Sequence, residues 1–171
     1  MRNAAAEPRV LELGWVERSP EASLSFRVER LVIRRGGWRL TVSVTNRDSV
    51  GYLITTASPP AESMFGLVVL ETASREELRE LTADFRKAPP FLEPDRIEPR
   101  LPRVLEGKSR WHGTLTGSTA LRKGSVLRVL FGRFVRMRGI LGTCSGSPIT
   151  RFSSRPRGHT LGTYSRPKEP S

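Results

Sequence analysis

Trp38-Arg-Leu-Thr-Val-Ser-Val-Thr45 puts Trp38, Leu40, Val42 and Val44 on one side of an extended chain and Arg39, Thr41, Ser43 and Thr45 on the other. A two-residue period of this kind is that of an antiparallel strand with one face in a core and the other in water. Gly36-Gly37 stands directly before it and supplies a hairpin turn. The arm leading into that turn, Ser23 to Arg35, alternates at Leu24, Phe26 and Val28 and continues as the apolar run Leu31, Val32, Ile33.

Working outward, Ala5 to Val16 has too little periodicity to assign, although Val10, Leu11, Leu13, Trp15 and Val16 are compatible with a short first strand. Downstream, Asn46-Arg-Asp-Ser49 makes a turn. Val50 to Thr56 and Met64 to Glu71 are further strands, separated by the breaker Ser58-Pro59-Pro60. Ser74 and Glu77 have capping-box spacing and Leu78, Leu81 and Phe85 share a face, which predicts a short helix over 74–86 ended by Pro89-Pro90. Pro89, Pro90, Pro94, Pro99 and Pro102 then forbid a central strand and predict an extended surface connection. Alternation resumes at Arg110 to Thr116. Ser125 to Arg136 carries Leu127, Val129, Phe131 and Val135 on one face against Val126, Arg128, Leu130, Phe134 and Arg136, so a central position is expected. Beyond Gly139 the pattern gives way to Gly, Ser, Thr, Arg and Pro, too apolar-poor to offset the entropy of ordering the chain.

Short strands with turn signals about every ten residues, one brief helix and no βαβ alternation predict an all-β antiparallel sandwich. A chain of 171 residues with 37% hydrophobic content supports one modest core. The organisation expected is a flexible N-terminus over 1–8, a sandwich domain over 9–140 and a disordered basic tail over 141–171. Trp38, Val42, Leu67, Trp111, Leu127, Val129 and Phe131 are assigned to its core.

Leu40-Thr-Val-Ser-Val-Thr-Asn46, Leu105-Glu-Gly107, Gly113-Thr-Leu115 and Leu127-Arg-Val-Leu-Phe-Gly132 together resemble the skeleton of bacterial immunoglobulin-like β-sandwich modules. In those a strand ends in Asn, a later loop precedes a strand with small residues, and a hydrophobic strand closes the sheet. The resemblance covers about residues 24–136, with the helix at 74–86 and the proline-rich connection as departures. It implies an immunoglobulin-like sandwich acting as a non-catalytic binding or structural module, and it names no ligand.

The formal charge is +12, from 29 Lys and Arg against 17 Asp and Glu. Residues 122–171 carry eleven basic side chains against Glu169 alone, while the body of the chain is near neutral. That asymmetry suits a globular domain with a basic arm and makes anionic partners worth testing. Arg133, Arg136, Arg138, Arg151, Arg155, Arg157, Arg166 and Lys168 are the candidate polyanion-binding residues, with Phe152 and Tyr164 interleaved for stacking. The same arginine excess over lysine also follows from a GC-rich coding sequence, so a purely compositional origin stands beside the functional one.

Tested motifs fail. Gly107-Lys108-Ser109 resembles the end of a phosphate-binding loop, but Pro102 occupies the position of the required upstream glycine. Gly142-Thr-Cys144-Ser-Gly146 has the form of a nucleophile elbow, yet only His112 and His159 could activate the thiol, and Ser147-Pro148 opposes the helix that must follow. Two His and one Cys make no metal site, and Glu93, Asp95 and Glu98 lie in a mixed-charge loop. The lone Cys144 forms no intramolecular disulfide and the N-terminus shows no signal-peptide core. The expectation is a cytoplasmic protein without cofactor or metal and without a membrane span, or an envelope protein should the true start lie upstream. In order, the readings are a non-catalytic module with a protein partner, a nucleic-acid or polyanion binder acting through its basic C-terminal segment, and a Cys144-dependent hydrolase.

Overall fold

A computed structural model describes residues 8–19, 23–54, 64–70, 91–121, 126–137 and 149–154. Eleven strands occur among them, in chain order β1 (Arg9–Arg18), β2 (Leu24–Arg34), β3 (Gly37–Asn46), β4 (Tyr52–Ile54), β5 (Met64–Leu70), β6 (Phe91–Leu92), β7 (Arg96–Glu98), β8 (Val104–Leu105), β9 (Arg110–Gly117), β10 (Val126–Arg136) and β11 (Ile149–Ser154). Every pairing is antiparallel, and the described part is all-β. The helix expected over 74–86 lies outside the described residues.

Sheet A has the order β1-β2-β3-β9-β7. Sheet B is built around β10, and its register fixes which neighbours share an edge. Val129, Leu130 and Phe131 pair with both β5 and β11, and Phe134 and Val135 pair with both β4 and β11. A strand has two edges, so β11 takes one and β4 and β5 lie end to end along the other. Central placement of β10 is thus as its sequence predicts. The segment from β6 to β8 passes between the sheets: β6 pairs with β5 in sheet B, β7 with β9 in sheet A, and β8 with β4 back in sheet B.

The two sheets face each other across one apolar cluster, a sandwich-like arrangement. Sheet A contributes Phe26, Val28, Trp38, Leu40, Val42, Val44, Trp111 and Leu115, and sheet B contributes Tyr52, Leu67, Leu127, Val129, Phe131 and Phe134, all buried. All seven residues assigned to the core from sequence are among the buried ones. Two tryptophan rings lie flat over the sheet because glycine stands beneath them. A Cβ on Gly117 would come within 2.5 Å of Trp38 Cε2, and one on Gly113 would strike the Trp111 ring.

Two expectations need correction. The alternation read along 125–136 does not run unbroken: Leu127, Val129 and Phe131 face the core, but so does Phe134, while Val135 is only half-buried. Gly132, at φ 114°, takes a backbone conformation open to glycine, and the β10–β11 register shifts between Phe131 and Phe134. This bulge reverses the facing of the last turn of strand. The second correction concerns the segment after 140. Residues 149–154, expected to lack structure, form β11 and satisfy the free edge of β10.

One buried polar side chain ties the strands' ends together. Asn46, 1% exposed, donates from Nδ2 to the carbonyls of Val50 (2.9 Å) and Glu106 (2.8 Å), with that of Leu105 at 3.3 Å, while its Oδ1 accepts from the Asp48 N–H at 2.9 Å. Next to it, one carboxylate oxygen of Asp48 accepts from both Nε (2.9 Å) and Nη2 (2.8 Å) of Arg136.

Candidate functional site

Alternation in sheet A sends one set of side chains into the core and the other onto an open face. The cross-strand register aligns that second set in rows. Val16, Arg27, Ser43 and His112 form one row across β1, β2, β3 and β9, and Arg18, Ser25, Thr45 and Arg110 form the next. Arg39 and Thr41 extend the face along β3, and Arg34 extends it along β2.

A carboxylate organises the middle of this face. Glu29 Oε1 accepts from Ser43 Oγ (3.2 Å) and from Arg110 Nη2 (3.1 Å), and Oε2 lies 3.1 Å from His112 Nε2. Arg110 Nη2 also reaches Ser43 Oγ at 3.1 Å. Burial opposes ionisation of Glu29, but the hydrogen bonds of His112 and Ser43 and the charges of His112 and Arg110 outweigh it. The carboxyl is held below its ordinary value. Although serine, histidine and glutamate meet here, their order is wrong for nucleophilic catalysis. A triad needs the base between nucleophile and acid. In this cluster the acid stands between Ser43 and His112, so no base is placed to take the serine proton.

Other carboxylates on the face are also engaged. Glu12 pairs with Arg30 at 2.6 Å, and Glu98 pairs with Arg96. Arg18, Arg27, Arg34 and Arg39 hold no ion pair among the described residues. The net charge of the face is therefore carried by arginines outside these ion pairs, of which Arg34 and Arg39 share a second hollow with Asp95. Around Ser25, Ser43 and Thr45 the surface dips into a depression of about 280 Å³ walled by Arg18, Arg27, Arg47 and Arg110.

The sequence placed its candidate anion-binding residues elsewhere. Of these, Arg133 and Arg136 lie in β10 and Arg151 in β11. Arg136 is committed to Asp48, which raises its pKa through the hydrogen bond and charge of that carboxylate. Arg138, Arg155, Arg157, Arg166 and Lys168 lie outside the described residues, as do Cys144 and His159. The arginines of the depression come from four separated stretches. Their signal in the sequence was the polar half of each alternating strand, which shows its meaning only once the register lays the strands side by side. Among the described residues no group of three His, Cys, Asp or Glu side chains converges as a metal site, and no helix is long and apolar enough to cross a membrane.

Acid stability follows from Glu29 and Asp48. Burial works against the Asp48 charge, but the Arg136 hydrogen bond, the Val50 and Ser49 N–H groups and the Arg136 charge lower its pKa. A carboxyl whose folded pKa is depressed stabilises the fold above its unfolded value, near 4, and loses that contribution as pH falls through the folded value. Thermal melts are expected to show Tm flat between about pH 5 and 7 and falling below about pH 4. Asp48→Asn is expected to flatten that acid limb and lower Tm at neutral pH. An acid limb identical to that of the unsubstituted protein would remove Asp48 from the account.

Comparison with family models, with curated proteins and with solved structures finds no match to this chain.

Proposed function

We propose that the protein is a non-catalytic binding module, an immunoglobulin-like sandwich whose open face on sheet A docks an acidic surface of a protein partner. The observation that carries this reading is the unbalanced charge of the face. Glu12, Glu29 and Glu98 are each occupied by a basic neighbour, whereas Arg18, Arg27, Arg34 and Arg39 have no such partner among the described residues. Burying part of that charge against carboxylates of another protein would relieve the mutual repulsion and steer the encounter. The immunoglobulin-like reading is supported by two antiparallel sheets around one core and by the crossing of β6, β7 and β8 between them. The non-catalytic reading is supported by the order of Ser43, Glu29 and His112. Binding of nucleic acid through the basic C-terminal segment is the alternative reading, and of its candidate residues Arg136 is held by Asp48.

Capture from native extract tests the proposal. The chain is expected to retain a protein partner after nuclease treatment, and to lose it when Arg27 and Arg39 are both changed to Glu. Loss on nuclease treatment alone would transfer the function to nucleic acid. Retention of the partner by the charge-reversed variant would overturn the assignment to this face.

A further inference from the structure

The depression within that face has a chemistry of its own. Its floor is made of short hydroxyl side chains, Ser25, Ser43 and Thr45, which are cross-strand neighbours on β2 and β3 or successive outward positions along them. Its walls are arginines. Arg18 pairs with Ser25 from β1 and Arg110 pairs with Thr45 from β9, so the two stand at opposite ends of one row across four strands. With strands about 4.8 Å apart, the ends of that row are separated by roughly 14 Å, a span that two arginine side chains can close over the floor from either side. Arg27 lies in the adjoining row beside Ser43, and Arg47 follows Thr45 just past the end of β3. The hollow exists because short residues occupy its middle and long ones its rim. No carboxylate lines it among the described residues.

We propose that this depression binds a tetrahedral oxyanion, a phosphate or sulfate group. The proposal rests on the reading of the same face as a docking surface for anionic groups, and assigns this one hollow within it to an oxyanion other than the carboxylates that the rest of the face meets. Guanidinium forks present paired, coplanar N–H donors that match two oxygens of an oxyanion at once. A planar carboxylate has two oxygens and saturates one such fork, or two at most. A tetrahedral ion has oxygens enough for three or four arginines converging from different strands, and the Ser25 and Thr45 hydroxyls can donate to the oxygen that points into the floor, the Ser43 hydroxyl being already given to Glu29. Glu29 contributes from outside the hollow. It engages one Nη of Arg110 and so orients that side chain, leaving the remaining N–H donors of its guanidinium for the ligand. The hollow is open, which suits either a free ion or an oxyanion carried as a monoester on a larger molecule.

The test is a titration of the full chain followed by amide chemical shifts, at constant ionic strength maintained with chloride. Inorganic phosphate, sulfate, phosphoserine as a phosphate monoester, and acetate are the probes. Saturable shifts are expected at Ser25, Ser43 and Thr45 with phosphate, sulfate or phosphoserine, and none with acetate. Tighter binding of phosphoserine identifies a carried group, and tighter binding of the inorganic ions identifies a free one. Arg27→Gln and Arg18→Gln are each expected to weaken binding about tenfold, as loss of one charge-assisted donor pair implies. Arg27→Lys keeps the charge but loses the fork, and is expected to fall between the unsubstituted protein and Arg27→Gln. Arg100→Gln removes an exposed charge that does not line the depression and is expected to leave binding unchanged. An unchanged spectrum outside the site confirms that each variant is folded.

Absence of saturable shifts, equal response to acetate, or equal weakening in Arg100→Gln would each overturn the proposal. These outcomes are separable from those of partner capture. A chain that binds phosphate but captures no partner loses the protein-docking reading alone. A chain whose capture depends on Arg27 and Arg39 but which binds no oxyanion loses only the site described here.

Discussion

Phe131→Ala is expected to cost about 3–5 kcal/mol of folding free energy, a large share of the roughly 5–15 kcal/mol that holds a domain together. Phe131 is fully buried on β10, in sheet B, and its ring is the hub of an aromatic cluster that joins the sheets. It stacks on Phe26 of β2 with centroids 4.9 Å apart and on Trp111 of β9 at 5.6 Å, both from sheet A. Within sheet B it meets Phe65 edge-on at 4.9 Å and Phe134 at 6.0 Å. Such ring pairs contribute beyond the area they bury. The backbone at Phe131 has little freedom to close a cavity, because β5 and β11 are paired with it on both sides. Little relaxation places the cost toward the upper end of the range. Urea unfolding should show a lowered midpoint with an unchanged slope. A loss below about 1 kcal/mol would mean that the ring is not packed as described.

Asn46→Asp is expected to destabilise by about 3–5 kcal/mol at pH 7, although it changes side-chain volume hardly at all. The Asn46 amide is buried, and its Nδ2 faces the carbonyl oxygens of Val50, Leu105 and Glu106. A carboxylate there would aim negative oxygen at negative oxygen in a site closed to water, with no cation to compensate. Asn46→Ala removes the donor without adding a charge and is expected to cost less, about 1–3 kcal/mol. The two variants also differ in pH dependence. Repulsion and burial raise the folded pKa of the introduced carboxyl, so its penalty is smallest below the ordinary carboxylate value and grows as pH rises past it. The stability gap between the Asn46→Asp variant and the unsubstituted protein should therefore narrow at about pH 3. A gap under about 1 kcal/mol at pH 7 would contradict the buried geometry.

Much of the fold was legible because β3 and β9 alternate cleanly. Once Trp38, Leu40, Val42 and Val44 are on one face, their partners across the sheet follow, and the core residues of β10 up to Phe131 obey the same rule. The rule broke at Gly132. A glycine inside a strand pattern marks a bulge, and reading it so would have placed Phe134 in the core. The strand at 149–154 was missed for a different reason. Ile-Thr-Arg-Phe-Ser-Ser has too little apolar content to demand burial, and it pairs because β10 leaves an edge to be satisfied. Neither fact is local to the residues concerned.

The candidate site was hidden by the same distinction. Charge counted along the chain drew attention to the C-terminal third, where basic residues recur and acidic ones are scarce. Arg18, Arg27, Arg47 and Arg110 are scattered over more than ninety positions and sit near acidic residues in sequence, so they add little to a local charge count. Register brings them around one hollow, where Glu29 pairs with Arg110 alone among them and Glu12 is drawn off to Arg30.

Partner capture by two full-length variants of equal charge tests the central claim most directly. One replaces Arg18, Arg27, Arg34 and Arg39 with Gln, and the other replaces Arg155, Arg157, Arg166 and Lys168 with Gln, so each loses four positive charges. If the open face of sheet A is the docking surface, the first variant loses the partner and the second keeps it, at matched ionic strength and after nuclease treatment. Loss of the partner by the second variant with retention by the first would contradict the account and return the function to the basic C-terminal segment.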